Sequence, residues 1–187
     1  MSICIINFSG RSNGNCHDIA TVIAESVSAG HEAALLEMPH LIISPCGNCG
    51  YDCFRTATSC PFIEDDAKRL YDSICSSDMA YFIVPNYCDY PNAHFFAFNE
   101  RGQCYFRKNK ALLEKYLSVP KRFVVVSNTG KENFQKAFQY HVRENDGISG
   151  LFLAARSFDR SSIDGGLMES AEARRLVVDF ALCRAPL

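Results

Sequence analysis

Apolar residues recur along the chain in two alternating patterns. Ile3 to Phe8 reads as a continuous apolar run, as in a strand buried on both faces. Ile19, Val22, Ile23 and Val27 then follow at helical spacing. Ala33 to Leu36 predicts a short second strand. The polar, irregular stretch from Pro39 to Ile63 breaks the rhythm. A helix over Asp65 to Cys75 follows, with Ala67, Leu70, Tyr71 and Ile74 on one face. Ala80 to Val84 predicts a third strand, stopped by Pro85. Ala93 to Glu100 and Ala111 to Leu117 read as helical pieces around a looser segment. Arg122 to Val126 predicts a fourth strand. Phe134, Phe138, His141 and Val142 mark a helix, Leu151 to Ala155 a fifth strand, and Leu176, Val177, Phe180 and Ala181 a last helix.

Five apolar strands alternating with helices predict an α/β fold, a parallel sheet with helices on both faces. Right-handed crossovers leave few topologies. Ligands in such sheets bind beyond the carboxyl ends of the strands, so the loops after the strands are the ones to read. The 187 residues fit a single domain over 1–187, with a cysteine-rich loop at about 39–63.

The loop after the first strand, Ser9 to Cys16, is rich in glycine, hydroxyl and amide groups and opens a helix. Glycine lets the backbone curl, and a helix N-terminus offers unpaired N–H groups to an anion. The alternative is a capped turn built on Asn15 and Asp18. Pro85 to Ala93 carries Tyr87 and Tyr90, which suit either a flat aromatic ligand or a proline-bounded turn. Ser127 to Gly130 is a third small, polar turn on the same edge.

Composition narrows the chemistry. A net charge of -2 with no basic block speaks against nucleic acid and anionic membranes. No apolar run is long enough to span a membrane. The first residues lack the basic region of a secretory signal, so the protein is expected in the cytoplasm, where thiols stay reduced. Ten cysteines in that compartment point to ligands, redox thiols or small core residues. Four of them, Cys46, Cys49, Cys53 and Cys60, lie within fifteen residues. Three readings stay open: a [4Fe–4S] cluster, a four-thiolate zinc site, or metal-free thiols that pack or form a redox pair. Asp65 and Asp66 read as a helix start. His141 falls on an apolar face as a core or interface histidine, and His17 stands near the first helix start.

These motifs together resemble the flavodoxin-like NADPH-dependent FMN reductases, and within them the iron–sulfur flavoprotein branch. The likeness rests on Ser9-Gly10-Arg11-Ser12-Asn13-Gly14-Asn15, the cysteine cluster leading to Asp65-Asp66, Pro85-Asn86-Tyr87, and Phe95 to Arg101. It implies a five-stranded flavodoxin-like sheet of order 2-1-3-4-5. It places an FMN phosphate on Ser9, Arg11, Ser12, Asn13, Gly14, Asn15 and Cys16. The flavin ring would lie against Pro85, Asn86, Tyr87 and Cys88, with Asn128, Thr129 and Gly130 at its other rim. The branch would put a [4Fe–4S] cluster on Cys46, Cys49, Cys53 and Cys60. The resemblance further implies NAD(P)H as donor, a small-molecule or protein electron acceptor, and a homodimer or homotetramer. The function expected is an FMN-dependent oxidoreductase; the alternative is a non-enzymatic flavodoxin-type electron carrier.

Overall fold

The structure is a computed structural model that describes residues 1–47, 49–55, 60–62, 64–127, 131–144 and 146–184. Its centre is a sheet of five parallel strands, β1 (Ser2–Asn7), β2 (Glu32–Glu37), β3 (Met79–Tyr87), β5 (Lys121–Val126) and β6 (Ser149–Leu153), with a two-residue strand β4 (Tyr90–Pro91) off the end of β3. The order is β2-β1-β3-β5-β6. In chain order of the parallel strands this is the expected 2-1-3-4-5 arrangement, a flavodoxin-like fold. The sixth strand is the one addition to the expected five.

Among the described residues there are seven helices: α1 (Asn15–Ser28), α2 (Asp52–Arg55), α3 (Asp66–Ser76), α4 (Ala93–Phe106), α5 (Lys110–Ser118), α6 (Lys131–Phe138) and α7 (Ala171–Ala181), of which all but α2 contribute to the cores on the sheet. Successive side chains of a strand point to opposite faces, and two cores result. Ile3, Ile5, Tyr81, Ile83 and Val124 pack with α1 and α7. Cys4, Ile6, Phe82, Phe123 and Val125 pack with α3, α4, α5 and α6. The second core is largely aromatic; Phe123 stacks on Phe138, and Phe8, Phe82, Phe95 and Phe98 meet edge-on or tilted. No helix among the described residues is long and apolar enough to cross a membrane.

Several boundaries differ from the sequence reading. The last parallel strand runs Ser149–Leu153 rather than Leu151 to Ala155, and α6 ends at Phe138, with His141 in the 3₁₀ turn that follows. Pro85 does not stop β3. It is the last residue paired with β5, opposite Val126, after which Asn86 and Tyr87 pair instead with β4. A residue without an N–H is tolerated where a ladder ends. The looser segment after Glu100 is helical to Phe106. Gly102 sits inside α4 because a Cβ there would come within 2.9 Å of the Tyr71 hydroxyl.

Candidate functional site

The loop leaving β1 is folded by its own polar groups. The buried Asn7 accepts from Ser9 N–H at 3.0 Å and donates to Glu37 Oε1 at 3.0 Å. Ser9 Oγ accepts from Arg11 N–H at 3.1 Å. His17 Nδ1 also meets Glu37 Oε1, at 2.8 Å, so this histidine is committed to a carboxylate. Burial pushes the Glu37 carboxyl up, but its bonds to His17 and Asn7 outweigh that and hold it below its usual range. Gly10 lets His94 approach, since a Cβ would lie 2.8 Å from the ring.

Gly14 precedes α1 at φ 107°, a conformation that favours glycine. Its carbonyl accepts from Asp18 N–H at 3.0 Å and starts the helix. No side chain caps α1. The expected alternative, a cap built on Asn15 and Asp18, is therefore not formed, and the N–H groups of the first turn have no side-chain partner of that kind. Asn15 is buried and turned elsewhere: its amide donates to Ser161 O at 2.9 Å and accepts from Leu167 N–H at 2.9 Å. Arg11 donates to Ile163 O at 2.7 Å. A segment near residues 161–167 thus buttresses this loop from the far end of the chain. Nothing local in the sequence marks that contact, because it joins positions 146 to 152 residues apart.

Facing this loop is the hairpin of β3 and β4. Cys88 and Asp89 occupy its two central positions at φ 52° and 65°, the left-handed pair that a tight two-residue hairpin requires. Asn86 fixes it: its carbonyl oxygen accepts from Asp89 N–H at 2.8 Å and its amide donates to Ser127 Oγ. Asn92 then caps α4 and donates to Phe8 O at 2.6 Å, tying the hairpin to the end of β1.

The two loops enclose a cavity of about 240 Å³. Ser9, Arg11, Asn13, Gly14, Asn15 and Cys16 line one side and Pro85, Asn86 and Tyr87 the other, with Val126, Ser162 and Ile163 completing it. Ser12 is exposed on the loop, and Cys88 is exposed at the hairpin tip. The Cys16 thiol is buried and pushed up to about 12 by desolvation, so it stays neutral. Asn128, Thr129 and Gly130 lie outside the described residues; Ser127 just before them is buried. A larger concavity of about 520 Å³ lies on the α4–α5 face, but the loops at the carboxyl ends of the strands are where this topology presents a ligand site. The donor set fits the phosphate of FMN. It combines an uncapped helix start, a glycine without a side chain in the way, a serine hydroxyl and a guanidinium.

The cysteine-rich segment is organised by α4. Arg101, 4% exposed, pairs with Asp65 and donates to Ser44 O at 3.0 Å, Phe62 O at 2.9 Å and Cys60 Sγ at 3.5 Å. Asp65 caps α3 and also accepts from Ser44 N–H at 2.9 Å, while Asp66 accepts from Ile42 N–H at 2.8 Å. The expected helix start is present, and the paired aspartates additionally clamp residues 42–44. Cys46 Sγ donates to Glu100 O at 3.4 Å, and Cys104 Sγ donates to Cys53 Sγ at 3.6 Å. The [4Fe–4S] cluster expected on Cys46, Cys49, Cys53 and Cys60 is not supported. Among the described residues no group of three or more His, Cys, Asp or Glu side chains is arranged to hold a metal ion. Physically, Cys46, Cys53 and Cys60 each hydrogen-bond Cys104, a thiol outside that set of four, and the Arg101 guanidinium also faces Cys60. Arg101 and Cys104 are the residues that sequence reasoning missed. Both stand on α4 at one-turn spacing, on the face that meets this segment.

His141 is a core residue. It is buried against Phe98 and Tyr116, with Tyr116 Oη 2.7 Å from its Nδ1, and desolvation lowers it to about 3.

The family model described as NADPH-dependent FMN reductase matches residues 1–146. No curated protein sequence matches the chain. Among solved structures, the chain is similar to the Trp repressor binding protein of Bacillus subtilis, with a TM-score of 0.60, 16% identity, and 95% of this chain and 98% of that one covered. It is similar to an NAD(P)H:quinone oxidoreductase from Methanothermobacter marburgensis, with a TM-score of 0.59, 13% identity, and 97% and 95% covered. It also resembles the flavoenzyme NAD(P)H:(acceptor) oxidoreductase FerB of Paracoccus denitrificans, with a TM-score of 0.55, 15% identity, and 96% and 94% covered. At such identities the structural likeness speaks for the fold.

Proposed function

The chain belongs to the NADPH-dependent FMN reductase family, and on that premise we propose that it binds FMN in the cavity between the two loops and passes reducing equivalents from NAD(P)H to a quinone or free flavin. Bound FMN supplies the hydride and electron chemistry. The observation that carries this reading is the uncapped start of α1 at Gly14, opening into one cavity with Pro85, Asn86 and Tyr87.

The amides of the first turn of α1, Ser9 Oγ and Arg11 hold the phosphate dianion, and Ser12 and Asn13 add donors at its outer side. Gly14 admits the phosphate to the backbone. Asn15 positions the loop through Ser161 and Leu167 rather than through its own cap. Cys16 contributes its backbone N–H, since its neutral thiol is no anion ligand. Pro85, Asn86, Tyr87 and Cys88 border the ring; Asn86, pinned to Asp89 and Ser127, keeps this hairpin in place. Asn128, Thr129 and Gly130 take the other rim. The hydride chemistry would be that of the bound FMN, and the proton that a reduced quinone needs would come from solvent, so no catalytic residue is assigned. Tyr87 and Tyr90, each about half exposed, are proposed to meet a second copy of the chain, which light scattering tests.

The test is one preparation and two measurements. The purified protein is expected to be yellow and to release FMN on denaturation, and to oxidise NADPH when a quinone or FMN is added. A colourless protein that takes up no FMN ends the proposal. FMN binding without NADPH turnover leaves the electron-carrier reading in its place.

A further inference from the structure

The cysteine-rich segment has no task in the flavin site. Cys104 stands twelve residues beyond the Asn92 cap of α4, roughly 18 Å along the helix at 1.5 Å per residue. Glu100, Arg101, Cys104 and Arg107 recur at three- and four-residue steps, so they share one face of that helix and its end. Each holds part of the segment. Cys46 N–H donates to Glu100 Oε2 at 3.1 Å, Arg101 takes Ser44 O and Phe62 O, and Arg107 donates to the carbonyls of Cys53 and Phe54 while lying 4.4 Å over the Phe54 ring. The result is that Cys53 and Cys104, far apart in sequence and carried by separate helices, are held thiol to thiol at 3.6 Å by contacts that do not involve their sulfurs.

We propose that Cys53 and Cys104 are a peroxide-oxidisable thiol pair whose disulfide fastens the cysteine-rich segment to α4. Both thiols are half-buried, accessible to a small oxidant and shielded from a bulky one. The sulfurs have to close from 3.6 Å to the covalent ~2.05 Å for the bond to form. The oxidant is hydrogen peroxide, which reduced flavins also generate when they meet dioxygen. The sulfur of Cys53 attacks the peroxide; its S–H proton and the leaving oxygen depart as water, and Cys53 becomes a sulfenic acid. The sulfur of Cys104 then displaces that hydroxyl. The S–S bond forms, the S–O bond breaks, and the Cys104 proton leaves with the oxygen as a second water. The two thiols lose two electrons and the peroxide gains them. Cys104 suits the second role. Burial raises its thiol, and the neighbouring Cys53, Cys46 and Cys60 raise it further, so it keeps its proton, shared with the Cys53 sulfur, until the sulfenic acid appears. Cys46 and Cys60 also lie beside Cys104, but Cys46 donates to Glu100 O and Cys60 accepts from Arg101, whereas the Cys53 sulfur takes the Cys104 proton.

The test treats the FMN-loaded protein with hydrogen peroxide and maps cysteines by mass spectrometry. The expected product is a Cys53–Cys104 cross-linked peptide, with about two thiols lost per chain and both restored by dithiothreitol. In Cys104→Ser, Cys53 should instead accumulate as a dimedone-reactive sulfenic acid; in Cys53→Ser, Cys104 should remain a free thiol. Cys183→Ser, on the α7 side, should leave the cross-link unchanged. Pairing of Cys104 with Cys46 or Cys60, no cross-link in the wild-type chain, or a zinc or iron ion bound through these thiols as purified would each overturn the proposal. The wild-type map alone decides it if a variant does not fold. The outcome does not depend on NADPH turnover.

Discussion

Gly14 shows how a single residue sets the candidate site. Its φ of 107° is costly for any side chain, and a Cβ there would sit 3.6 Å from the Arg11 guanidinium. Gly14→Ala is therefore expected to weaken FMN binding by about tenfold, near 1.4 kcal/mol, with little loss of fold stability beyond ~1 kcal/mol. Fluorescence titration of the apoprotein with FMN measures it, and an unchanged affinity would remove Gly14 from the site. Much of this loop was legible because glycine, hydroxyl and amide groups between a strand and a helix carry their chemistry locally. Asn15 was not. Its residue type suits a phosphate ligand or a cap equally, and only the arrival of Ser161 and Leu167 decides that it braces the loop. Asn15→Ala should thus lower thermal stability as well as FMN affinity, whereas a pure phosphate ligand would affect affinity alone; thermal melts with and without FMN separate the two.

At the scale of elements, α4 organises more than its sequence suggested. The apolar positions Phe95 and Phe98 announced a helix, but Gly102 weakened the pattern over its second half and a looser segment was expected there. The space needed by the Tyr71 hydroxyl, which donates to Phe98 O at 2.6 Å, explains the glycine. Arg101 was missed for a related reason: a lone arginine on a helix ordinarily faces solvent, and only the cysteine-rich segment folding over it buries the charge. Its ion pair with Asp65 is shielded on both sides, with side-chain exposures of 4% and 8%. Removing one partner of such a pair strands the other, which typically costs about 3–5 kcal/mol. Arg101→Met should lower stability by that order, and the double variant with Asp65→Asn should recover part of it, since no buried charge then remains. Urea denaturation of the four proteins checks this. Strict additivity of the two single changes would mean that the ion pair does not couple α4 to α3.

The whole molecule is two cores on one sheet. Both were readable from the strands, because the central strands β1, β3 and β5 bury apolar residues on both faces. His141 was expected on an apolar face; what was not readable is that Lys121 joins it in the aromatic core. His141 lies among Phe82, Phe95 and Phe98, and Lys121 donates to Tyr116 O and Val119 O and lies 4.1 Å over the Tyr116 ring. Burial lowers Lys121 to about 7 and His141 to about 3. Unfolded, a lysine titrates near ~10.4 and a histidine near ~6.5. Between about 3 and 6.5 the unfolded chain holds the extra proton on His141, and between about 7 and 10.4 it holds the one on Lys121. Stability rises with pH wherever the unfolded state binds more protons. It should therefore climb from pH 3 to 6.5 on account of His141, and again above pH 7 on account of Lys121. Buried Cys4 and Cys16, each raised to about 12, act oppositely. Their unfolded thiols ionise near ~8.5, so stability falls above that pH and the rise from Lys121 is best read between pH 7 and 8.5. In that window the Tm of the wild-type chain should increase, whereas the profile of Lys121→Met should be flat or falling, because its core carries no proton to lose. Parallel profiles for the two proteins would mean that Lys121 stays charged in the folded core, held by its two carbonyls and the Tyr116 ring.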